Sequence, residues 1–244
     1  MLLKDKVAIV TGGGSGIGRA IAHGFSNEGA RVLVSDLDGG SAETVAGELA
    51  GEAAAVQCDV SDTASVNSMV DEAVSRFGTL DILVNNAGRA RGGWVTNMSD
   101  EDWDSVFAVN VLGTFACSRA ALKHMIPQRS GRILNTASGA GLRAFPRAAV
   151  YAASKAAIIS FTYSLAAEVA KYGITVNAIG PGVTDTPFWR AGRSEEDIKA
   201  AIVQGVVGRP EDLVPMVTFL CSETGAVHTG LMVNRETFMP EVRQ

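Results

Sequence analysis

The chain has 244 residues, 47% hydrophobic and 19% charged, which is enough apolar material for one substantial core and too short for two ordinary enzyme domains. Lysine and arginine total 21 against 26 acidic residues, so the formal net charge of -5 leaves no broad cationic face for a nucleic-acid backbone. With 27 glycines and 6% aromatics, the composition fits alternating strands and helices joined by tight turns and argues against disorder or an aromatic-rich β-sandwich.

Val7 to Val10 is a short continuous apolar run ending in glycines, as a parallel strand buried on both faces requires. Ile17, Ala20, Ile21 and Phe25 then recur at helical spacing, predicting a helix to Glu28 that stops at Gly29 before a second strand, Arg31 to Asp36. The alternation predicts a helix over 41–50, a strand over 54–59, a helix over 62–77 and the strand Ile82 to Asn85. A long helix with an acidic start is predicted over 101–125, a strand over 132–135, a helix over 149–171 and a strand over 174–179. Residues 184–204 are polar and poorly periodic. A helix over 211–220 and an edge strand at Leu231 to Val233 complete the series. About seven strands alternating with helices imply one doubly wound, mostly parallel α/β sheet of the Rossmann type, with helices on both faces and ligands beyond the carboxyl ends of the strands.

Cys58, Cys117 and Cys221 are odd in number and far apart, and His23, His124 and His228 form no HxxxH pair, so neither a disulfide framework nor a metal site is expected. The N-terminus meets charge at once, and no segment is expected to approach the twenty or so apolar residues of a membrane span, which points to a cytoplasmic protein. Asn97-Met98-Ser99 matches a glycosylation sequon that is accidental without secretion.

Thr11-Gly12-Gly13-Gly14-Ser15-Gly16-Ile17-Gly18 lies between the first strand and the first helix, where small residues let a pyrophosphate reach free N–H groups at the helix start. No Gly-Lys-Ser/Thr follows, so this is not a Walker loop. Asp36 closes the second strand, where a carboxylate accepts from an adenosine ribose and repels a 2′-phosphate, favouring NAD over NADP. Asp59-Val60 is placed either to contact adenine or, through Asp59, to cap the next helix. Tyr151 and Lys155 stand at i and i+4 on one predicted helix, so an ammonium near the phenol is expected to favour its anion and make it a usable base. Ser138, just past the fifth strand, is placed to stabilise charge on a substrate oxygen. Thr184 and Thr186 are placed either to hold a carboxamide or to cap their loop.

Together these segments resemble the short-chain dehydrogenase/reductase family over nearly the whole chain. The glycine turn matches its TGxxxGxG pattern, Asn85-Asn86-Ala87-Gly88 its NNAG segment, and Ser138, Tyr151 and Lys155 its Ser…YxxxK signature. The resemblance implies that Asn86, Ala87 and Gly88 border the cofactor and that Asn110 holds a water for proton relay. It also implies that Pro181, Gly182, Val183, Thr184 and Thr186 flank the nicotinamide, that Lys155 contacts ribose, and that 184–204 forms a substrate lid. The implied activity is NAD-dependent interconversion of a secondary alcohol and a ketone by a homodimer or homotetramer. A nucleotide-sensing protein without turnover, or a cofactor-retaining epimerase or dehydratase, are the alternatives on the same fold. Arg89, Arg91, Arg143, Arg147 and Arg190, near the strand ends or beside Tyr151, are placed either as solvated surface charges or to recognise an anionic substrate. Many relatives end on a VDGG-like segment, whereas this chain reads Val233-Asn234-Arg235-Glu236-Thr237-Phe238, which puts the edge contacts there in question.

Overall fold

The computed structural model of the protein describes residues 1–235. Seven strands form one sheet: β1 (Val7–Thr11), β2 (Arg31–Asp36), β3 (Ala53–Gln57), β4 (Ile82–Asn85), β5 (Gly131–Thr136), β6 (Ile174–Gly180) and β7 (Met232–Asn234), in the order β3-β2-β1-β4-β5-β6-β7. Every pairing is parallel, so the expected mostly parallel sheet is wholly so. The strand order reverses between β1 and β4, which opens a crevice at their carboxyl ends.

Period-two alternation explains the layering. Val7, Ile9, Leu83, Ile133 and Val176 turn to one face and pack on α3 (Thr63–Phe77), α5 (Gly113–Gln128) and α6 (Ala149–Val169). Ala8, Val10, Val32, Val34, Val84 and Ile179 turn to the other face, against α1 (Gly16–Asn27), α2 (Gly39–Glu48) and α9 (Val214–Cys221).

The expected helix over 101–125 is two helices, α4 (Asp100–Phe107) and α5, joined by a π-helical turn at Ala108–Leu112. The expectation that no segment approaches a membrane span also needs correction. Asp100–Gln128 is long and apolar enough by length and composition, but half of its most apolar window is buried inside the fold, where α5 packs with α3 in one core. The polar stretch 184–204 is not irregular either: it holds α7 (Pro187–Arg190) and α8 (Glu195–Val203). Thr186 and Ser194 cap them, accepting from the N–H groups of Trp189 and Asp197. Of the atypical C-terminal segment, Glu236 and everything beyond it lie outside the described residues.

Candidate active site

The glycine turn is built by close approach. Gly12 has φ 61°, and a Cβ there would sit 2.9 Å from the Cα of Ala87. A Cβ on Gly18 would strike the carbonyl oxygen of Gly12, so only glycine lets α1 lie this close to β1. Ser15 occupies the N-cap position of α1 without a side-chain capping bond, so it leaves the first-turn N–H groups at Gly16, Ile17 and Gly18 uncapped. The Ile17 side chain packs against the core. Asp36, at the end of β2, accepts from the Gly14 N–H at 2.9 Å and the Asp38 N–H at 3.1 Å, which places its carboxylate beside the turn. A groove of about 940 Å³ opens along Gly14, Ser15, Gly16, Arg19 and Pro187. Ser138, Tyr151 and Lys155 lie outside it.

Asn86 joins the turn to β4. Its side-chain amide donates to the carbonyls of Thr11 and Gly12, and the N–H groups of Asn86 and Ala87 donate to Thr11 Oγ1. Beneath it the Asn85 amide donates to Asn135 Oδ1 at 2.8 Å and to Ser118 Oγ at 3.0 Å. The helix cap left open at Asp59 belongs to Asp62, which accepts from Ala64 and Ser65 N–H; Asp59 instead closes a turn on Ser61. Val60 is buried, its side chain against Gly113.

Ser138, Tyr151 and Lys155 converge at the carboxyl end of β5. Ser138 Oγ accepts from the Ala140 N–H at 3.1 Å and lies close enough to the Tyr151 phenol to favour its anion. Lys155 is 3% exposed; its Nζ donates to the Thr136 carbonyl at 2.7 Å and lies 5.6 Å from the Tyr151 ring centre. A Cβ on Gly88 would come within 3.7 Å of that Nζ, so the end of the NNAG segment faces the lysine. Burial pulls the Lys155 ammonium down to about 8. The phenol does not follow the expected direction: burial pushes Tyr151 up, and the Ser138 hydroxyl is the lowering influence. The physical reason is that both groups share one desolvated crevice, which penalises the charged form of each.

Asn110 is fully buried at the π-helical turn. Its Oδ1 accepts from the Arg89 N–H at 2.8 Å, and its Nδ2 donates to the Arg89 carbonyl and to Ser154 Oγ, both at 2.9 Å. Both amide hydrogens are therefore used to clamp the segment after β4 onto α6.

The segment after β6 closes on itself. Thr184 pairs with Gly208 in an isolated bridge, and its hydroxyl donates to the carbonyls of Pro181 and Gly182. Gly182 has φ 68°, and Val183 is exposed. Thr186 takes the capping role, with its methyl against Gly16. The arginine cluster is largely engaged. Arg190 forms a two-pronged bond to Asp185 at 2.6 and 2.9 Å, Arg91 lies 3.5 Å from Asp102, and Arg143 stacks over Phe145. Sequence reasoning missed the Thr136 carbonyl, Ser154 and Asn135 as supports. A backbone acceptor has no side-chain signature, and the two side chains are recognisable only through the partners that folding brings to them.

A family model described as short chain dehydrogenase matches residues 6–197. The chain is 39% identical over 236 residues to a sorbitol dehydrogenase of Cereibacter sphaeroides, covering 91% of this chain and 92% of that protein. It is 36% identical over 243 residues to the 3-oxoacyl-(acyl-carrier-protein) reductase FabG of Escherichia coli, covering 98% and 100%. The crystal structure of a 3-ketoacyl-(acyl-carrier-protein) reductase from Brucella melitensis complexed with NADH superposes with a TM-score of 0.90 at 36% identity, covering 96% and 97%. The chain belongs to the short-chain dehydrogenase/reductase family of oxidoreductases.

Proposed function

We propose that the protein is a single-domain, NAD-dependent dehydrogenase that interconverts a secondary alcohol and a ketone, with Tyr151 as general acid/base. The observation that carries this reading is the convergence of Ser138, Tyr151 and Lys155 at the carboxyl end of β5, where Lys155 faces the NNAG segment that packs on the glycine turn.

The residues present fit a dinucleotide. The turn cannot accept a Cβ at Gly12 or Gly18, it exposes a helix N-terminus, and Asp36 stands at the end of β2. In this reading the turn of Gly12, Gly14, Ser15, Gly16, Ile17 and Gly18 receives the pyrophosphate, with the uncapped N–H groups of Gly16, Ile17 and Gly18 as donors. Asp36 accepts from the adenosine ribose, Asp59 and Val60 border adenine, and Asn86, Ala87 and Gly88 line the floor. Pro181 to Thr184 and Thr186 flank the nicotinamide, with residues 184–204 as the lid. When bound, the nicotinamide supplies the hydride acceptor for oxidation and the donor for reduction.

This chain's own residues handle the proton. In oxidation Ser138 holds the alcohol oxygen, Tyr151 takes the hydroxyl proton, and the carbon gives up its hydride as the C–O bond becomes a carbonyl. In reduction Tyr151 returns that proton to the oxygen. Lys155 holds positive charge beside the phenol and a ribose hydroxyl, and the Thr136 carbonyl fixes its Nζ. Asn110 keeps the crevice in register, and its second Oδ1 lone pair is the side-chain acceptor left for a relay water.

The buried thiols of Cys58, Cys117 and Cys221 suit a reducing cytoplasm. Exposed Trp103, Leu112, Phe115 and Tyr163 on α4 to α6 suit a homo-oligomer contact. A nicotinamide-absorbance screen of secondary alcohols and ketones with both cofactors tests the reading. Turnover with NAD supports it. Product formation without net absorbance change would point to an epimerase or dehydratase, and cofactor binding without product to a sensor.

A further inference from the structure

We propose that the substrate of this site is a secondary alcohol or ketone whose carbon chain carries an anionic group, recognised by Arg89 and Arg147, an inference that rests on the hydride-transfer reading above. Of the five arginines near the strand ends or beside Tyr151, three are engaged: Arg91 pairs with Asp102, Arg190 pairs with Asp185, and Arg143 stacks over Phe145. Arg89 and Arg147 are exposed, and among the described residues neither side chain forms a hydrogen bond, an ion pair or a ring contact. Both backbones are fixed beside Tyr151. Arg89 is clamped through its N–H and its carbonyl by the Asn110 amide, which also donates to Ser154 Oγ, and that hydroxyl donates to the Tyr151 carbonyl at 2.7 Å. The residue before it, Gly88, faces Lys155 Nζ. Arg147 precedes Tyr151 by four residues, immediately before Ala148, whose carbonyl accepts from the Ala152 N–H at 2.8 Å to open the first turn of α6. It therefore stands about one helical turn ahead of the phenol.

The distribution of charge along the chain points the same way. Residues 105–167 hold seven lysines and arginines and no Asp or Glu, and 82–99 adds Arg89 and Arg91, again without a carboxylate, although the whole chain carries a formal -5. These two stretches contain the NNAG segment, Ser138, Tyr151 and Lys155, so the catalytic end of the crevice is cationic in an otherwise acidic protein and draws an anion towards the phenol. The acids between the stretches, at 100–104, open α4, and Asp102 among them is the partner of Arg91. Arg147 is also held at φ 65°, in the left-handed region that favours glycine, while its carbonyl accepts from the Gly93 N–H at 2.8 Å. That bond ties the segment after β5 to the segment after β4, and the strain is spent on a position that a glycine would fill more easily but without a guanidinium. A guanidinium offers paired donors to a carboxylate, sulfonate or phosphate, and two of them beside Tyr151 hold such a group a few bonds from the reacting carbon.

The test is the ratio of kcat/KM for an acid to that for its neutral match, with saturating NAD: 3-hydroxybutyrate against 3-hydroxybutanamide, 2-hydroxypropanesulfonate against 2-hydroxypropyl methyl sulfone, and 2-hydroxypropylphosphonate against its diethyl ester. At least one pair is expected to favour the anion by about 10- to 100-fold, and the three arms tell which anion is read. In Arg89→Gln and in Arg147→Gln that ratio is expected to fall by about fivefold or more, whereas Arg147→Lys, which keeps the charge, retains part of it. Ratios within about twofold of unity in all three pairs, or a preference that both glutamine variants leave unchanged, overturn the proposal. The same pairs are measured as shifts in melting temperature of the Tyr151→Phe variant with NAD, which read anion preference without turnover. An acid that stabilises this variant more than its neutral match does, while the wild type turns nothing over, keeps the anion preference and rejects hydride transfer. Equal shifts within every pair overturn the anion preference, and turnover alongside them leaves hydride transfer standing.

Discussion

Arg235 and Asp212 lock the base of the segment that carries α7 and α8: the guanidinium donates to Asp212 Oδ2 at 2.8 Å and lies directly on Gly208, where a Cβ would strike it. Gly208 donates to the Val183 carbonyl and accepts from the Asp185 N–H, each at 2.9 Å, so the lock reaches the residues that lead to Thr186 and Gly16. Replacing Arg235 by alanine is expected to raise the rate of tryptic cleavage at Arg190, Arg193 and Lys199 by about 5- to 50-fold, as loss of a partly buried ion pair would. Arg235→Lys is expected to recover part of that protection. An unchanged cleavage rate in Arg235→Ala would show that the segment is held elsewhere.

Asn110→Ala removes the clamp to the Arg89 backbone and to Ser154. Three hydrogen bonds from one fully buried side chain at roughly 1 kcal/mol each, plus partners left unpaired, predict a loss of about 3 to 5 kcal/mol and a melting temperature lower by about 6 to 20 °C. Thermal unfolding checks this, and a shift under about 2 °C would contradict the clamp.

Lys155 makes stability depend on pH. Its folded pKa of about 8 lies below the unfolded value, so between about 8 and 10 the unfolded chain binds more protons and stability rises with pH. Against a Lys155→Met variant, the wild type is expected to gain on the order of 3 kcal/mol across that window, measured by denaturant unfolding at pH 7, 8, 9 and 10. A pH-independent difference would contradict the buried charge. Tyr151 is raised, so alcohol oxidation, which needs the phenolate, is expected to climb from pH 7 to past 9 while ketone reduction falls.

Asp36→Asn keeps an acceptor for the Gly14 N–H and removes the charge. The ratio of kcat/KM with NAD to that with NADP is expected to fall by about 10- to 100-fold, because the repulsion of a 2′-phosphate is gone. A ratio unchanged within about twofold would place the discriminator at another residue.

Much of this was legible because the relevant signals are local. The run Val7 to Val10, the glycines that follow and Asp36 locate the turn without reference to distant residues, and the i, i+4 spacing puts Tyr151 and Lys155 on one face of α6. The break between α4 and α5 was not legible, because Asn110 is drawn inward by Arg89 and Ser154, 21 and 44 residues away, rather than by a local breaker. Helices α7 and α8 did leave a signal: Thr186 before Pro187, and Ser194 three residues before Asp197. Weak apolar periodicity hid it. The direction of the Tyr151 shift was lost for another reason, since spacing reports which charges are near and not how much water surrounds them.

The role of Tyr151 is tested most directly by the steady-state kcat of Tyr151→Phe on the best secondary alcohol of the nicotinamide-absorbance screen, with NAD affinity measured alongside. A fall of about 100- to 10,000-fold in kcat is expected, with the NAD dissociation constant within about threefold of wild type. A kcat within about tenfold of wild type would contradict it.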